Sequence, residues 1–315
     1  MNSVLIIDKP AGLTSHDVVN RVRRILGQRA VGHLGTLDPL ATGVLPLVAG
    51  SFTRLAQFYT ASEKTYEGVI RFGFATDTYD AEGVPLTAPQ MVQVSLEQLR
   101  EKATRFCGVI EQMPPPFSAK KIKGVPAYKL ARKKKDTPLK PVRVEIKEFE
   151  ILGLEGDRAR FRARVASGTY MRSVAHEIGQ ALGCGAHLAS LRRTALAEFV
   201  LADCHLLEEV EGAAKTGQIE EVLVHPRQLL PHLPNVTAND EMAARIRTGQ
   251  AVNLPELSRA PQIKVFYGQR ELIAIATRVA GTLFHAKIVM AGETAVASLP
   301  RYAPAPPAAW SKPES

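Results

Sequence analysis

Gly32-His33-Leu34-Gly35-Thr36-Leu37-Asp38-Pro39-Leu40-Ala41-Thr42-Gly43-Val44-Leu45-Pro46 is the stretch on which the fold and chemistry of this sequence turn. Gly35, Pro39, Gly43 and Pro46 fall within a dozen residues and force one particular backbone path. Asp38 stands before a proline, which biases it to extended geometry and away from a helix. Its neighbours are small or apolar, so its carboxylate either faces solvent or is paired from a distant part of the chain. An Asp-Pro turn and a carboxylate with a chemical task both fit these residues. The order GxxxxGK[ST] is absent, so the stretch is not a nucleotide-phosphate loop.

Around this stretch lies a chain of 315 residues, 45% hydrophobic and 23% charged, with 40 Lys plus Arg against 31 Asp plus Glu. That composition excludes a wholly disordered chain, a collagen and a coiled coil, and its length suggests about two domains. The net charge of +9 favours a polyanionic partner, nucleic acid before a membrane surface. Cys107, Cys184 and Cys204 are far apart and form no CxxC, which argues against a disulfide framework and a cysteine zinc site and fits a reducing cytoplasm. No apolar run is long enough to span a bilayer, and the short run Val4 to Ile7 reads as a buried strand rather than a signal peptide.

The charge is concentrated. Residues 118–147 hold eleven basic side chains, including Lys120, Lys133 and Lys134, against Asp136 and Glu145. Like charges so crowded fit either a solvated loop, with one short helix near 128–134, or an element that contacts phosphates. Arg158, Arg160, Arg162 and Arg164 alternate with apolar residues, the period of a strand with one arginine face.

The remaining pattern predicts a helix capped by Ser15 and stopped by Gly27, and a strand over 65–72. It predicts a helix opened by a Ser95–Gln98 capping box, and an irregular stretch over 112–117, where three prolines occur. Antiparallel strands are expected over 142–152 and 158–165, and a helix over 171–182. A composition shift near 231–234 precedes a short helix over 239–247 and three strand-like runs at 263–267, 272–279 and 283–289. The Pro/Ala-rich end, 302–315, reads as disordered.

Further motifs occur in order with the first: Asp8-Lys9-Pro10-Ala11-Gly12, Lys64-Thr65-Tyr66, Pro114-Pro115-Pro116-Phe117-Ser118-Ala119-Lys120, Gly168-Thr169-Tyr170-Met171-Arg172, Leu182-Gly183-Cys184-Gly185-Ala186-His187 and Leu191-Arg192-Arg193. Together they resemble the TruB family of pseudouridine synthases from about residue 4 to 193. Leu34 and Thr65 depart from residues common in that family, and both only neighbour functional positions. The weaker pattern after 232 is similar to a PUA domain, an RNA-binding module.

The resemblance implies an α/β (α+β) fold: a mixed, largely antiparallel sheet with flanking helices over 1–232, then a small β-rich PUA-like domain over 233–301. It implies conversion of uridine to pseudouridine at conventional position 55 in the T-loop of tRNA. No guide RNA, cofactor, metal or membrane would be needed, and the protein would be a cytoplasmic monomer. Asp38 matches the catalytic aspartate, a nucleophile or charge stabiliser at C1′, and Arg172 matches its bidentate partner. Tyr66 matches the tyrosine stacked on the target base, where an unperturbed phenol is a poor base at neutral pH. Tyr170 and Leu191 match uridine-pocket positions, and His33 matches the residue that fills the space left by the flipped base. Lys9, Lys120, Lys133 and Lys134 fall among the substrate-binding positions, the last three in a clamping insertion over 118–147. The rival expectations are a guide-dependent synthase, a tRNA-folding chaperone without catalysis, and a general basic RNA-binding protein.

Overall fold

The computed structural model describes residues 1–117, 140–256, 258–290 and 292, and the backbone of 121–122 and 125–126. Strand β1 (Ser3–Lys9) forms from the apolar N-terminal run. Helix α1 (Ser15–Leu26) follows; its cap is Thr14, not Ser15, because Thr14 and Asp17 close a reciprocal capping box. Gly27, at φ 61, ends the helix as expected. Then come β2 (Val31–His33), β3 (Thr42–Ala49), a 3-10 turn, the short α2 (Ala56–Tyr59) and β4 (Lys64–Phe72). Helix α3 (Leu96–Thr104) carries the Ser95–Gln98 box, and β5 (Gly108–Gln112) leads into the proline-rich irregular stretch. Two-residue strands β6 (Lys121–Ile122) and β7 (Val125–Pro126) pair with each other. The hairpin of β8 (Val142–Glu155) and β9 (Arg158–Val165) runs three residues further along its first strand than the sequence suggests.

Helix α4 (Met171–Ala181), strand β10 (Ala186–Leu196), β11 (Phe199–Val200) and helix α5 (Leu207–Thr216) complete the first unit. Its nine-stranded sheet has the order β1-β3-β10-β4-β9-β8-β5, with β2 on β3 and β11 on β10. All pairings are antiparallel except β3 with β10, which touch in parallel over Thr42–Arg192 and Gly43–Arg193. β10 is central, yet the alternation rule misses it. Its burial does not alternate cleanly, and register shifts after Leu188 and Arg193 break its period. One sheet face packs on Val18, Val19 and Val22 of α1 and on Val174, Ala175 and Ile178 of α4.

After residue 232 come β12 (Asn235–Ala238), α6 (Asp240–Arg247), β13 (Val252–Asn253), β14 (Gln262–Tyr267), β15 (Glu271–Ala280) and β16 (Leu283–Val289). They form a five-stranded sheet, β12-β14-β15-β16-β13, over its own core of Ile263, Val265, Ile273 and Phe284. A second core joins the units: Val4, Ile6, Val44 and Val48 pack with Phe266, Leu272, Ile275, Ile288 and Met290. Burying such a side chain contributes about 1.5–3 kcal/mol, so the C-terminal sheet is firmly seated on the back of the first. Lys264, buried at this seam, donates to the carbonyls of Arg227 and Leu229. The tail over 302–315 lies outside the described residues.

Candidate active site

Asp38 sits on the loop between β2 and β3, and the backbone on both sides of it is tied down. The Ser15 hydroxyl accepts from Leu37 N at 2.8 Å and donates to Leu37 O at 3.0 Å. On the other side, Lys9 Nζ donates to Pro39 O at 3.2 Å, to Pro10 O at 2.8 Å and to Leu13 O at 2.6 Å. Gly12 N adds a bond to Pro39 O at 2.9 Å. Gly43 closes the loop at φ +96, and a Cβ there would lie 2.2 Å from Arg193 O, so only glycine admits the β3–β10 approach.

The partner of Asp38 comes from 134 residues away. Arg172 Nε donates to Asp38 Oδ2 at 2.9 Å, and one terminal nitrogen donates to Oδ1 at 3.2 Å, a side-on bidentate pair. The same guanidinium donates to Thr78 O at 3.0 Å and Phe117 O at 2.9 Å, and Asp80 Oδ2 lies 3.6 Å from Nε. The arginine side chain is 5% exposed and that of Asp38 is 38% exposed, so one partner is fixed and the other faces the cleft. Arg172 stands in the first turn of α4, where the helix dipole disfavours a cation; the two carboxylates offset that cost. Gln112 sets the start of α4 by accepting from Tyr170 N at 2.8 Å and donating to Tyr170 O at 3.1 Å.

Asp80 is a site residue that the sequence does not reveal. It is buried, and its Oδ1 accepts from Thr78 Oγ1 at 2.6 Å and Glu82 N at 3.1 Å. The loop that carries it is locked to β10 by Ala81 N to Leu188 O and Leu188 N to Tyr79 O. Tyr79 holds φ 66, a left-handed conformation costly for a tyrosine, and stacks on His176 with ring centroids 3.7 Å apart. The sequence offered only TDTYD in a loop, with no apolar period to mark burial.

A cleft of about 450 Å³ opens over Asp38. Tyr66, Tyr170, Leu191 and His33 all line it, as does Arg172. Tyr66 and Leu191 are mostly buried and form its inner wall. His33 has its ordinary imidazole value lowered, first by burial and then by Arg193 and His16, so it is neutral near pH 7. Its Nδ1 is buried without a partner among the described residues. Lys64 also lines the cleft, and burial followed by the charge of Arg193 lowers its ammonium to about 8. Arg193 is fully buried beneath the loop; it donates to Val44 O at 2.7 Å, Gly35 O at 2.9 Å and Thr36 O at 3.3 Å, and it interacts with the Tyr66 hydroxyl.

The structure thus brings His33, Tyr66, Tyr170, Arg172 and Leu191 together around Asp38, and it places Lys9 outside the cleft lining. Lys9 is fully buried, and its donors are used on three backbone carbonyls that brace the Asp38 loop. Lys120, Lys133 and Lys134, with the helix expected near 128–134, lie outside the described residues. The arginine face of β9 has local acid partners, with Arg162 on Glu67 at 3.0 Å and Arg164 on Glu148 at 2.6 Å and Glu63 at 3.0 Å.

This arrangement agrees with what the chain resembles. Residues 23–171 match the TruB family pseudouridylate synthase N-terminal domain, and residues 172–232 match the tRNA pseudouridylate synthase B C-terminal domain. A protein of Solibacter usitatus named tRNA pseudouridine synthase B is 48% identical over 293 residues, covering 92% of this chain and 100% of the relative. One of the same name from Geobacillus thermodenitrificans is 43% identical, covering 81% of this chain and 87% of the relative. Among solved structures, a Cbf5-Nop10-Gar1 complex contains a chain with TM-score 0.65 and 26% identity, covering 89% of this chain and 79% of that one. An H/ACA RNP bound to a substrate RNA has a chain with TM-score 0.67 at 24% identity, covering 92% of this chain and 85% of that one, a likeness of fold. With that likeness running along nearly its whole length and through both family domains, the chain belongs to the TruB family of pseudouridine synthases.

Proposed function

We propose that this protein isomerises uridine to pseudouridine in tRNA, at position 55 of the T-loop, as a cytoplasmic monomer that uses no guide RNA. The observation that carries the reading is the bidentate Asp38–Arg172 pair on the floor of a cleft walled by Tyr66 and Leu191. A cleft of this size admits one nucleotide, so the target uridine must leave its stack to enter. His33, in the cleft lining and with its protonation disfavoured by burial, is suited to filling the space it leaves, since stacking between bases needs no charge.

Inside, the Asp38 carboxylate meets C1′ as a nucleophile or as the counter-charge to a developing cation. The C1′–N1 bond breaks with its electron pair going to the uracil. The ring turns on the Tyr66 face, and C5 forms the new bond to C1′. The C5 proton is lost and N1 gains one, so atoms and electrons balance without an oxidant or reductant. Arg172 fixes the carboxylate in one orientation throughout and leaves it no freedom to rotate away. The C-terminal sheet, PUA-like in its order of short helix and strands, would add a second RNA contact beyond the cleft.

The test is tritium release from C5-labelled uridine in an unmodified tRNA transcript, with no guide RNA added and wild type beside Asp38→Asn. Release from wild type alone is expected. No release from either protein, with tight tRNA binding, would favour a guide-dependent synthase or a tRNA-folding chaperone.

A further inference from the structure

Lys64 is unusual among the cleft side chains. It stands two residues before Tyr66, so both side chains rise from the same face of β4 into the cleft. Its one hydrogen-bond partner among the described residues is the Ser62 carbonyl at 2.8 Å, which leaves ammonium donors unused. No carboxylate pairs with it among the described residues, and the charge acting on it is another cation, Arg193. Partly burying a lysine beside an arginine without an acid is costly, and such an arrangement is relieved by an anion brought from outside.

The cleft is therefore polarised. On one side Asp38, Asp80 and Glu82 gather around Arg172 and Lys9. On the other stands Lys64, on which none of these carboxylates acts; the charge it meets is that of Arg193, which lies beneath the loop and acts on Lys9 as well. Arg193 is fully buried and committed to backbone carbonyls, so on that side Lys64 is, among the described residues, the cation within a ligand's reach. The base and ribose of uridine are uncharged; the one anionic part of the nucleotide is its phosphodiester. With C1′ at Asp38, that phosphodiester is repelled by the acid side and attracted by the other.

Resting on the isomerase reading above, we propose that Lys64 binds a phosphodiester flanking the flipped uridine and so sets which way the nucleotide enters the cleft.

The experiment uses the full chain, an unmodified tRNA transcript, and a T-arm stem–loop RNA carrying one neutral methylphosphonate, either 5′ or 3′ of the target uridine. Binding is measured across salt concentrations for wild type, Lys64→Met and Lys64→Arg. Lys64→Met is expected to weaken binding about tenfold and to flatten the log–log salt slope by roughly 0.7–0.9, the value of one phosphate contact, while Lys64→Arg keeps the slope. One of the two methylphosphonates should weaken wild-type binding by the same factor and leave Lys64→Met unaffected. An unchanged slope in Lys64→Met, or methylphosphonate losses at both positions that simply add to the mutation, would overturn the assignment. The methylphosphonate arm with wild-type protein stands even where a variant folds poorly. Tritium release by wild type in the same preparation separates failure of this assignment from failure of the isomerase reading.

Discussion

The arginines on the outer face of β9 and Arg172 on the floor of the cleft make ion pairs of similar length with opposite consequences. Arg162 meets Glu67 at 3.0 Å with side chains 53% and 45% exposed. Arg172 meets Asp38 at 2.9 Å with the arginine 5% exposed. On the outer face water can replace either partner, so such a pair contributes little. In the cleft, Arg172 is also bound by two backbone carbonyls and faced by Asp80, and loss of one member leaves a buried charge exposed to the others. Charge in a sequence therefore says little about function until burial is known.

The largest expected effect tests the cleft directly. Asp38→Asn should reduce single-turnover tritium release about 10³-fold or more, as the role proposed for its carboxylate at C1′ requires, while tRNA affinity changes by less than about threefold. A loss of affinity that matches the loss of rate would show that Asp38 holds the RNA and does not react.

Next is the partner. Arg172→Met should lower the rate on the order of 10²-fold and destabilise the fold by about 3 kcal/mol in denaturant unfolding, because Asp80 and two carbonyls lose their cation. Arg172→Lys should recover part of the stability and little of the rate, as an ammonium cannot match the side-on geometry. Equal recovery of both would make charge alone the requirement.

Asp80→Asn is a milder probe. It preserves the shape that accepts Thr78 and removes a charge 3.6 Å from Arg172. A fall in kcat on the order of tenfold, equivalent to about 1.4 kcal/mol, with KM nearly constant is the expected outcome. An unchanged kcat would reduce Asp80 to a loop anchor.

The outer face should barely respond. Arg162→Gln is expected to change unfolding free energy by less than about 0.5 kcal/mol and leave tritium release unaltered. A clear drop in tRNA affinity would instead move the β9 stripe into the RNA-binding surface and break the contrast.

A separate probe, of stability and not of activity, is a pH dependence at the seam between the sheets. Burial lowers Lys264 from 10.5 to about 8, so between those values the unfolded chain holds a proton that the folded chain has released. Stability from this group therefore rises as pH climbs from about 8 to about 10.5 and is absent below. Lys264→Met should flatten the rise in urea unfolding followed across that range; an undiminished rise would assign it to other lysines.

Much of this molecule was legible in its sequence, and the exceptions share a cause. Amphipathic elements such as α1 and β9 write their period into the chain because one side meets water, and the Asp38 loop announces itself through glycines and prolines that few other paths would need. Motif resemblance then named Asp38, Tyr66, Tyr170, Leu191, Arg172 and His33, all of which line one cleft. The interior strand β10 and the buried Asp80 were not legible, because two register shifts break the strand's period and a buried polar residue looks like a loop residue. Lys9 and Lys64 show what tertiary structure alone decides. In the sequence both are lysines within short motifs. In the fold, three carbonyls accept from the Lys9 ammonium, which so braces the Asp38 loop, whereas Lys64 meets one carbonyl and opens onto the cleft. The sequence supplies the charge; the number of acceptors packed around it decides whether that charge holds the protein together or is left to meet a substrate.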